Sequence, residues 1–279
     1  MFEDKVIPLD VWVSQFVEWL VDNYRDFFQA LKWPVEQTLN GFDAGLNALW
    51  PPIIIVLLAF AAWKFSGKGL AIFTVITLTT IGLLGLWVET MTTLAMVLSS
   101  VLFCALVGIP LGIWAGRSDA FEAGIRPALD AMQTTPAFVY LVPIVMLFSV
   151  GNVAGVLATI IFALPPLIRL TSLGIRQVHP ELVEAAQAFG ATNWQVLVRV
   201  QVPLAMPTIL AGLNQTIMMA LSMVVIAALI GAGGLGSPVI LGLNTLDIGR
   251  AVIGGLSIVL MAIVLDRITQ SMAQKKNGS

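Results

Sequence analysis

Residues 184–203 have the sequence EAAQAFGATNWQVLVRVQVP, a polar stretch that lies between two long apolar runs of the chain. Pro180 can occupy the first position of a helix, and the residues that follow it are good helix formers. Gly190 is suited to end that helix in a left-handed turn. Asn193 can cap a second short helix, which is expected to stop at Pro203. The sequence therefore predicts two short helices at an angle, held against one face of a membrane.

The composition of the whole chain is that of an integral membrane protein. Hydrophobic residues make up 58% of the 279 positions and charged residues 11%, and the mean hydropathy is +0.93. Because a soluble domain has about 25% charged residues, this chain cannot cover itself with a water-compatible surface. Cys104 is the only cysteine, which excludes a disulfide framework or a cysteine metal site within one chain.

Apolar runs of the chain predict an all-α polytopic fold with about seven transmembrane helices. They lie near residues 51–65, 69–87, 91–115, 137–150, 152–170, 208–232 and 249–266. Ahead of them, residues 9–31 place apolar side chains at helical spacing with acidic residues between, which predicts an amphipathic helix too polar to span. A weaker apolar stripe over 35–49 follows Pro34.

The distribution of basic residues predicts the orientation. Ten of them fall on one side of the predicted spans: Lys64, Lys68, Arg117, Arg126, Arg169, Arg176, Arg199, Arg267, Lys275 and Lys276. The other side has only Lys5, Arg25, Lys32 and Arg250. The positive-inside rule then places the N-terminus outside, the C-terminus in the cytoplasm, and the 184–203 stretch in the cytoplasm. No ionisable residue lies near the middle of a predicted span and no inverted repeat is visible, which disfavours a proton- or sodium-coupled carrier.

The polar stretch carries a recognisable pattern. Glu184-Ala185-Ala186 is followed after three residues by Gly190, and after nine more by Val200-Gln201-Val202-Pro203. This pattern resembles the EAA loop of permease subunits from ABC importers, where the last four residues are Ile-x-Leu-Pro. Longer stretches between residues 90 and 270 are similar to permeases that import glycine betaine and proline: QTTPAFVYLVPIVMLF (133–148), FALPPLIRLTSLGIRQV (162–178), PLAMPTILAGLNQTIMMALSMVVIAALIGAGGLG (203–236) and AIVLDRITQ (262–270).

The resemblance implies a type I importer in the bacterial cytoplasmic (inner) membrane. Its expected partners are a second copy of the permease, a cytoplasmic ABC ATPase dimer, an external or periplasmic substrate-binding protein and the lipid bilayer, with no nucleic acid. ATP and Mg²⁺ would be bound by the partner ATPase, so this chain would hold no cofactor. Choline or carnitine import by the same apparatus is the alternative. The resemblance implies four parts. Residues 1–50 would form external amphipathic helices, and residues 51–87 two accessory transmembrane helices. Residues 88–270 would form a permease core of five transmembrane helices that includes the coupling loop 171–207, and residues 271–279 a cytoplasmic tail.

Two groups of residues are candidates for function. The resemblance implies that the coupling contact with the ATPase is formed by Glu184, Ala185, Ala186, Gly190 and Pro203. In the sixth predicted span, Thr208, Gln215, Met219 and Ser222 recur at three- to four-residue steps, which places them on one helix face. That face is as well suited to another helix as to a transport pathway.

Other motifs do not predict chemistry. The stretch GAGGLG (231–236) fits a dinucleotide fingerprint but follows an apolar helix, so a flexible external turn is the better interpretation. The stretch SGKG (66–69) lacks the leading glycine and trailing Ser/Thr of a phosphate-binding loop. His179 is expected to be structural, and no nucleophile, acid–base pair or metal cluster is visible. The chain is therefore not expected to be an enzyme; a channel or carrier working alone, or a membrane scaffold, is a less favoured alternative.

Overall fold

The computed structural model describes residues 8–275, and every regular element in that part of the chain is helical. This confirms the all-α prediction. In chain order the helices are α1 (Leu9–Ala48), α2 (Pro51–Ser66), α3 (Lys68–Leu83), α4 (Trp87–Arg117), α5 (Asp119–Thr134), α6 (Leu141–Phe148), α7 (Asn152–Arg176), α8 (Pro180–Ala188), α9 (Asn193–Val196), α10 (Val202–Ala228), α11 (Gly236–Thr245) and α12 (Ile248–Lys275). A 3-10 turn, Ala137–Tyr140, precedes α6, and a π-helical turn, Leu197–Gln201, joins α9 to α10. Lys5 and Lys276, which entered the charge count, lie outside the described residues.

Helices α4, α7 and α10 form the centre of the fold. Small residues let their backbones approach: a Cβ added at Gly112 would lie 2.5 Å from Thr171 Cβ and 2.8 Å from the carbonyl oxygen of Ile168. Between the same helices lies a buried cluster of Cys104, Ala163 and Leu167. Because lipid tails are as apolar as the helices, such close packing is what holds helices together inside a bilayer.

The helices differ in how completely they can cross a membrane. Four segments are long and apolar enough alone: α4, α7, the continuous stretch 193–228, and residues 248–271 of α12. Two further candidates are bent pairs, α1 with α2 at 108° and α5 with α6 at 103°, and α3 is shorter. The count of seven crossings and the orientation therefore stay predictions.

The expected fourth span over 137–150 needs correction. Its α-helical part, α6, has only 8 residues, which extend about 12 Å against a hydrocarbon core of about 30 Å. By length and composition the segment is a candidate crossing only together with α5, from which it is separated by the bend at Thr135 and Pro136. Pro136 favours an extended conformation in the residue before it, which explains why the α5 helix stops there.

Long-range contacts divide the helix ends into two groups. Gly151 N donates to the Ile230 carbonyl at 3.0 Å, and Leu235 N donates to Thr93 Oγ1 at 2.8 Å. These bonds bring together the starts of α4 and α7 and the end of α10 at the end of the molecule that is farther from the α8 loop, here named the opposite end. The ends of α4 and α7 and the start of α10 lie at the other, here named the loop end, where Arg176 Nη2 donates to the Ala115 carbonyl at 2.8 Å.

The N-terminal region, α1, consists of two helical parts that meet at a kink at Tyr24. Helix α1 continues through Pro34, and its only non-helical backbone angles are at Tyr24. A proline inside a helix costs about 3 kcal/mol, but Val35 and Leu39 beside it are buried against α4 and α7, which offsets that cost. The first half of α1 exposes aromatic side chains, as an amphipathic interfacial helix does: Trp12, Phe16, Trp19 and Phe27.

Candidate functional site at the loop between α7 and α10

Helix α8 stands away from the rest of the molecule. It begins with Pro180 at its first position, as predicted, and none of its residues is buried. Glu184 and Ala185 are exposed, and Ala186 is partly buried. Because the α8 side chains have so few contacts within the chain, this surface is available to a partner.

A glycine turn ends α8. Gly190 has φ +81°, its N–H donates to the Gln187 carbonyl at 2.9 Å, and Ala191 N donates to the Ala186 carbonyl at 3.0 Å. These two bonds are those of a Schellman motif, so the predicted left-handed turn at Gly190 is confirmed. A Cβ added at Gly190 would meet nothing within 4 Å. A substitution there is therefore disfavoured by the backbone angle rather than by a clash.

Exposed apolar side chains surround the turn, and the sequence interpretation did not single them out. Phe189 is 93% exposed, Trp194 is 69% exposed and Leu182 is 45% exposed. Large aromatic side chains exposed together are typical of a protein interaction surface. The signal in the sequence was the pair of aromatic residues flanking Gly190 in an otherwise polar stretch.

The start of the second short helix differs from the prediction. Thr192, rather than Asn193, is its N-cap: Thr192 Oγ1 accepts from Gln195 N at 3.3 Å, and Gln195 Oε1 accepts from Thr192 N at 2.8 Å. Gln195 decides the register because only a cap three residues before it can complete this capping box. Asn193 becomes the first helical residue.

The end of the second short helix was also predicted wrongly. The helix does not stop at Pro203, because the π-helical turn takes up the proline: Val202 N donates five residues back to the Leu197 carbonyl, and Pro203 follows within the first turn of α10. Because the π-helical turn already departs from the i→i−4 pairing just before Pro203, the missing proline N–H is accommodated there without ending the helix. Residues 193–228 therefore form one continuous segment, so a displacement of α9 is carried directly into α10.

The loop is fixed on its other side by Arg176, in the last turn of α7. Its guanidinium pairs with Asp119 at 2.6 Å and Glu122 at 2.8 Å, and donates to the Ala115 carbonyl at 2.8 Å. One side chain therefore joins the end of α4, the start of α5 and the end of α7, four residues before α8 begins. The sequence counted Arg176 only as a positive charge, because nothing local to it shows that residues 57 positions away are its partners.

An apolar cluster braces the loop from inside. Ile175, Leu197, Ala205 and Ile209 are buried against one another. Helix α7 approaches α10 closely at Gly174, where an added Cβ would lie 3.1 Å from the Ala205 carbonyl oxygen. The two helices that frame the loop therefore meet its base as a packed unit.

The residues suggested for a pathway face of α10 do not all lie on one open surface in the structure. Gln215 and Ser222 are exposed on α10, but Met219 packs partly buried against the Cys104–Ala163–Leu167 cluster. Met218, 39% exposed, takes the open position between them, and Thr208 lies beside Gly174. The three- to four-residue spacing fits either methionine, so only the packing decides which one faces outward.

The glycine-rich stretch 231–236 is a packed turn at the opposite end. Gly233 N donates to Asn152 Oδ1, and Gly234, with φ +77°, lies so close to Thr93 that an added Cβ would meet its Oγ1 at 2.4 Å. The expectation of a flexible turn is therefore wrong. Within residues 8–275 no strand precedes it, which disagrees with a dinucleotide site.

Three comparisons with known proteins agree with one another. Residues 108–277 match the family described as "Binding-protein-dependent transport system inner membrane component". The chain is 54% identical over 273 residues, 98% of its own length and 77% of the relative's, to the glycine betaine/proline betaine transport system permease protein ProW of Escherichia coli (strain K12). It is 45% identical over 273 residues, 96% of each chain, to the glycine betaine/carnitine transport permease protein GbuB of Listeria monocytogenes serotype 1/2a (strain 10403S).

Among solved structures, the chain resembles an inward-facing conformation of the MetNI methionine ABC transporter. The TM-score is 0.60 at 21% identity, with 66% of this chain and 92% of that chain covered. At this identity the likeness concerns the fold alone. It covers the same kind of helical membrane architecture that the sequence predicted.

Proposed function

Because the chain belongs to the family of binding-protein-dependent transport system inner membrane components, we propose that it is the permease subunit of an ATP-driven importer of glycine betaine or proline betaine. The observation that carries the substrate class is the 54% identity, over 98% of the chain, to a glycine betaine/proline betaine permease. Carnitine is the second candidate, supported by the 45% identity to a glycine betaine/carnitine permease. The substrate would be delivered by a separate binding protein.

In this proposal α8 is the contact with a separate ATPase subunit, which binds ATP and Mg²⁺ and performs the hydrolysis. Glu184, Ala185 and Ala186 present a low-profile face, and Gly190 sets the turn that exposes Phe189. Exposure of a large aromatic side chain beside small residues favours insertion into a groove of a partner protein. Pro203 belongs to the mechanical connection rather than to the contact, since it lies inside the continuous 193–228 segment.

Movement of α8 would reach the membrane helices by two connections. Through the π-helical turn it enters α10, and through Arg176 it reaches α4 and α5. Because packed helices move as rigid bodies, closure of the ATPase pair would tilt these helices together and exchange access between the two membrane faces. The ATPase would hydrolyse ATP, and this chain would convert its closure into transport.

A second copy of the chain is proposed to complete the pathway. Gln215 is exposed inside an apolar helix and forms no hydrogen bond with the described part of the chain. An amide in that position cannot face lipid without losing its hydrogen bonds. A pathway between two copies supplies water or a partner group at Gln215, and it also borders Ser222, whose Oγ already donates to the Met218 carbonyl at 3.0 Å.

The experiment compares two glycines with similar backbone angles. Gly190 and Gly85 both have positive φ, +81° and +77°, both end a helix with the same pair of backbone hydrogen bonds, and both have open space around an added Cβ. In complexes of permease, ATPase and binding protein in proteoliposomes, Gly190→Asp is expected to abolish substrate-stimulated ATP hydrolysis and uptake of radiolabelled glycine betaine. Gly85→Asp, at the α3–α4 turn, is the matched control and should leave both near the wild-type level. Normal uptake by the Gly190 variant would refute the contact.

A further inference from the structure

One face of α10 stays open along the helix and changes from polar to apolar toward the opposite end. Its exposed or half-buried positions follow one another in steps of three and four residues: Gln215, Met218, Ser222, Val225 and Leu229. Because 3.6 residues make one turn, these steps keep the five side chains on one side of the helix. We name this side the α10 face, and it ends at Leu229, which is 58% exposed.

The α10 face differs from a helix face that touches only lipid. On α12 the same spacing gives an exposed stripe that is apolar throughout: Val252, Leu256, Val259 and Ile263. The α10 face instead contains the amide of Gln215, which forms no hydrogen bond with the described part of the chain and which lipid cannot satisfy. Leu229 lies on the same side of α10, about 21 Å farther along the helix. We therefore expect Leu229 to face the same second copy of the chain.

A strained turn places another apolar side chain beside Leu229. Ser149 has φ +70° and ψ 170°, backbone angles that only glycine adopts without strain. This turn leaves Val150 70% exposed, and the bond from Gly151 N to the Ile230 carbonyl fixes the turn against the end of α10. Val150 and Leu229 directly precede the two partners of that bond. An unstrained turn would present a valine to lipid equally well, so the geometry indicates a contact that needs Val150 in one defined position.

We propose that Leu229 and Val150 meet the same residues of a second copy and form an apolar seal across the transport pathway. The inference rests on the proposed function, in which a pathway lies between two copies. Twofold symmetry supplies each side of the seal with the same side chains. A constriction lined only by apolar side chains excludes water and charged solutes. The polar part of the α10 face lies on the loop-end side of the seal, so the seal closes the end that is predicted to face outward.

The seal lies at the far end of the helix that the coupling loop moves. Residues 193–228 form one continuous segment, and Leu229 follows it directly. Helix α10 is about 40 Å long, so a tilt of about 5° about its start moves its far end by about 3.5 Å. When both copies tilt, this displacement separates apolar side chains that touch at about 4 Å. Closure of the ATPase pair would therefore open the seal without any change inside the packed cores of the two copies.

The first test is a cross-link between two copies at position 229. Cys104 is the only cysteine and is buried, so Leu229→Cys carries one exposed thiol. In membranes that contain the whole complex, a short bismaleimide should join two Leu229→Cys chains without nucleotide, and at least fivefold less with the binding protein and a non-hydrolysable ATP analogue. Leu256→Cys on α12 is the matched control, because Leu256 is 49% exposed on the apolar stripe, and should give no dimer. Absence of the dimer at 229, or a yield that does not depend on nucleotide, would overturn the proposal.

The second test measures leak through the resting complex of permease and ATPase in proteoliposomes. Leu229→Ser and Val150→Ser each place a hydroxyl group in the seal and should speed the loss of trapped radioactive rubidium ions at least fivefold. Leu256→Ser is the control and should leave the loss at the wild-type rate. A leak from both seal variants no faster than that from the control would contradict the seal.

Uptake of glycine betaine by the complete wild-type complex separates the seal from the proposed function. Normal uptake with no dimer at position 229 would refute the seal and leave the proposed function standing. Nucleotide-dependent cross-linking without uptake of glycine betaine would support the seal and refute the proposed substrate.

Discussion

Replacing Arg176 with glutamine removes the side chain that joins α7 to α4 and α5. Its pair with Asp119 adds little, because the Asp119 side chain is 91% exposed and water screens such pairs. The pair with the half-buried Glu122 and the bond to the Ala115 carbonyl contribute about 1 kcal/mol each. The variant is therefore expected to weaken the connection by about 2 kcal/mol, a factor of about 30.

The assay for Arg176→Gln is the number of glycine betaine molecules transported per ATP hydrolysed in proteoliposomes. Because α8 and its contact surface are unchanged, the ATPase should still bind and hydrolyse ATP, while transport per ATP falls by at least tenfold. Arg117→Gln is the matched control: Arg117 is also at the loop end, in the last turn of α4, and contacts none of these partners. Arg176→Lys, which keeps the charge but not the forked geometry, should lie between the two.

Two results would refute this reasoning about Arg176. An unchanged ratio of transport to hydrolysis in Arg176→Gln would show that the guanidinium does not carry the movement. Loss of ATPase binding together with transport would show that Arg176 maintains the structure of the loop instead.

Two other predictions concern the membrane helices. Gln215→Leu should reduce uptake severalfold without changing the amount of protein in the membrane. Met219→Leu, a volume-conserving change in a packed cluster, is the control and should cost under about 1.5 kcal/mol of stability and leave uptake unaltered. Equal uptake in both variants would show that Gln215 does not line the pathway. Gly112→Ala forces a methyl group against Thr171 and should destabilise the protein by about 1–3 kcal/mol, measured as the thermal midpoint in detergent. Gly124→Ala, with nothing within 4 Å of the added Cβ, is its control and should be stable or slightly stabilised; a Gly112 variant as stable as this control would contradict the packing of α4 on α7.

The helical class and the glycine turn could be predicted from the sequence because they depend on local properties. Apolar runs and scarcity of charge require a membrane fold, and Gly190 favours a left-handed turn wherever its surroundings place it. Pro203 was misjudged because proline ends an isolated helix but not one whose backbone pairing is relieved by a π-helical turn. The cap at Thr192 rather than Asn193 was visible in principle, since Gln195 stands three residues after Thr192.

Contacts between distant helices could not be predicted in the same way. Arg176 and its partners on α4 and α5 are separated by more than fifty residues, and no spacing rule connects them. The choice between Met218 and Met219 likewise depends on where α4 and α7 pack on α10. Sequence spacing defines a helix face only to within about one residue, because 3.6 residues make one turn.

The most direct test of the account is a cross-link between α8 and the ATPase. Cys104 is the only cysteine in the chain and is buried, so a cysteine introduced at Phe189 is the one exposed thiol. In membranes that contain the whole complex, Phe189→Cys should form a bismaleimide cross-link to a cysteine in the ATPase subunit and should resist a membrane-impermeant thiol reagent added from outside. The control is Trp63→Cys near the α2–α3 turn, which should give no cross-link. Labelling of position 189 from outside, or cross-linking at 63 but not at 189, would contradict the account.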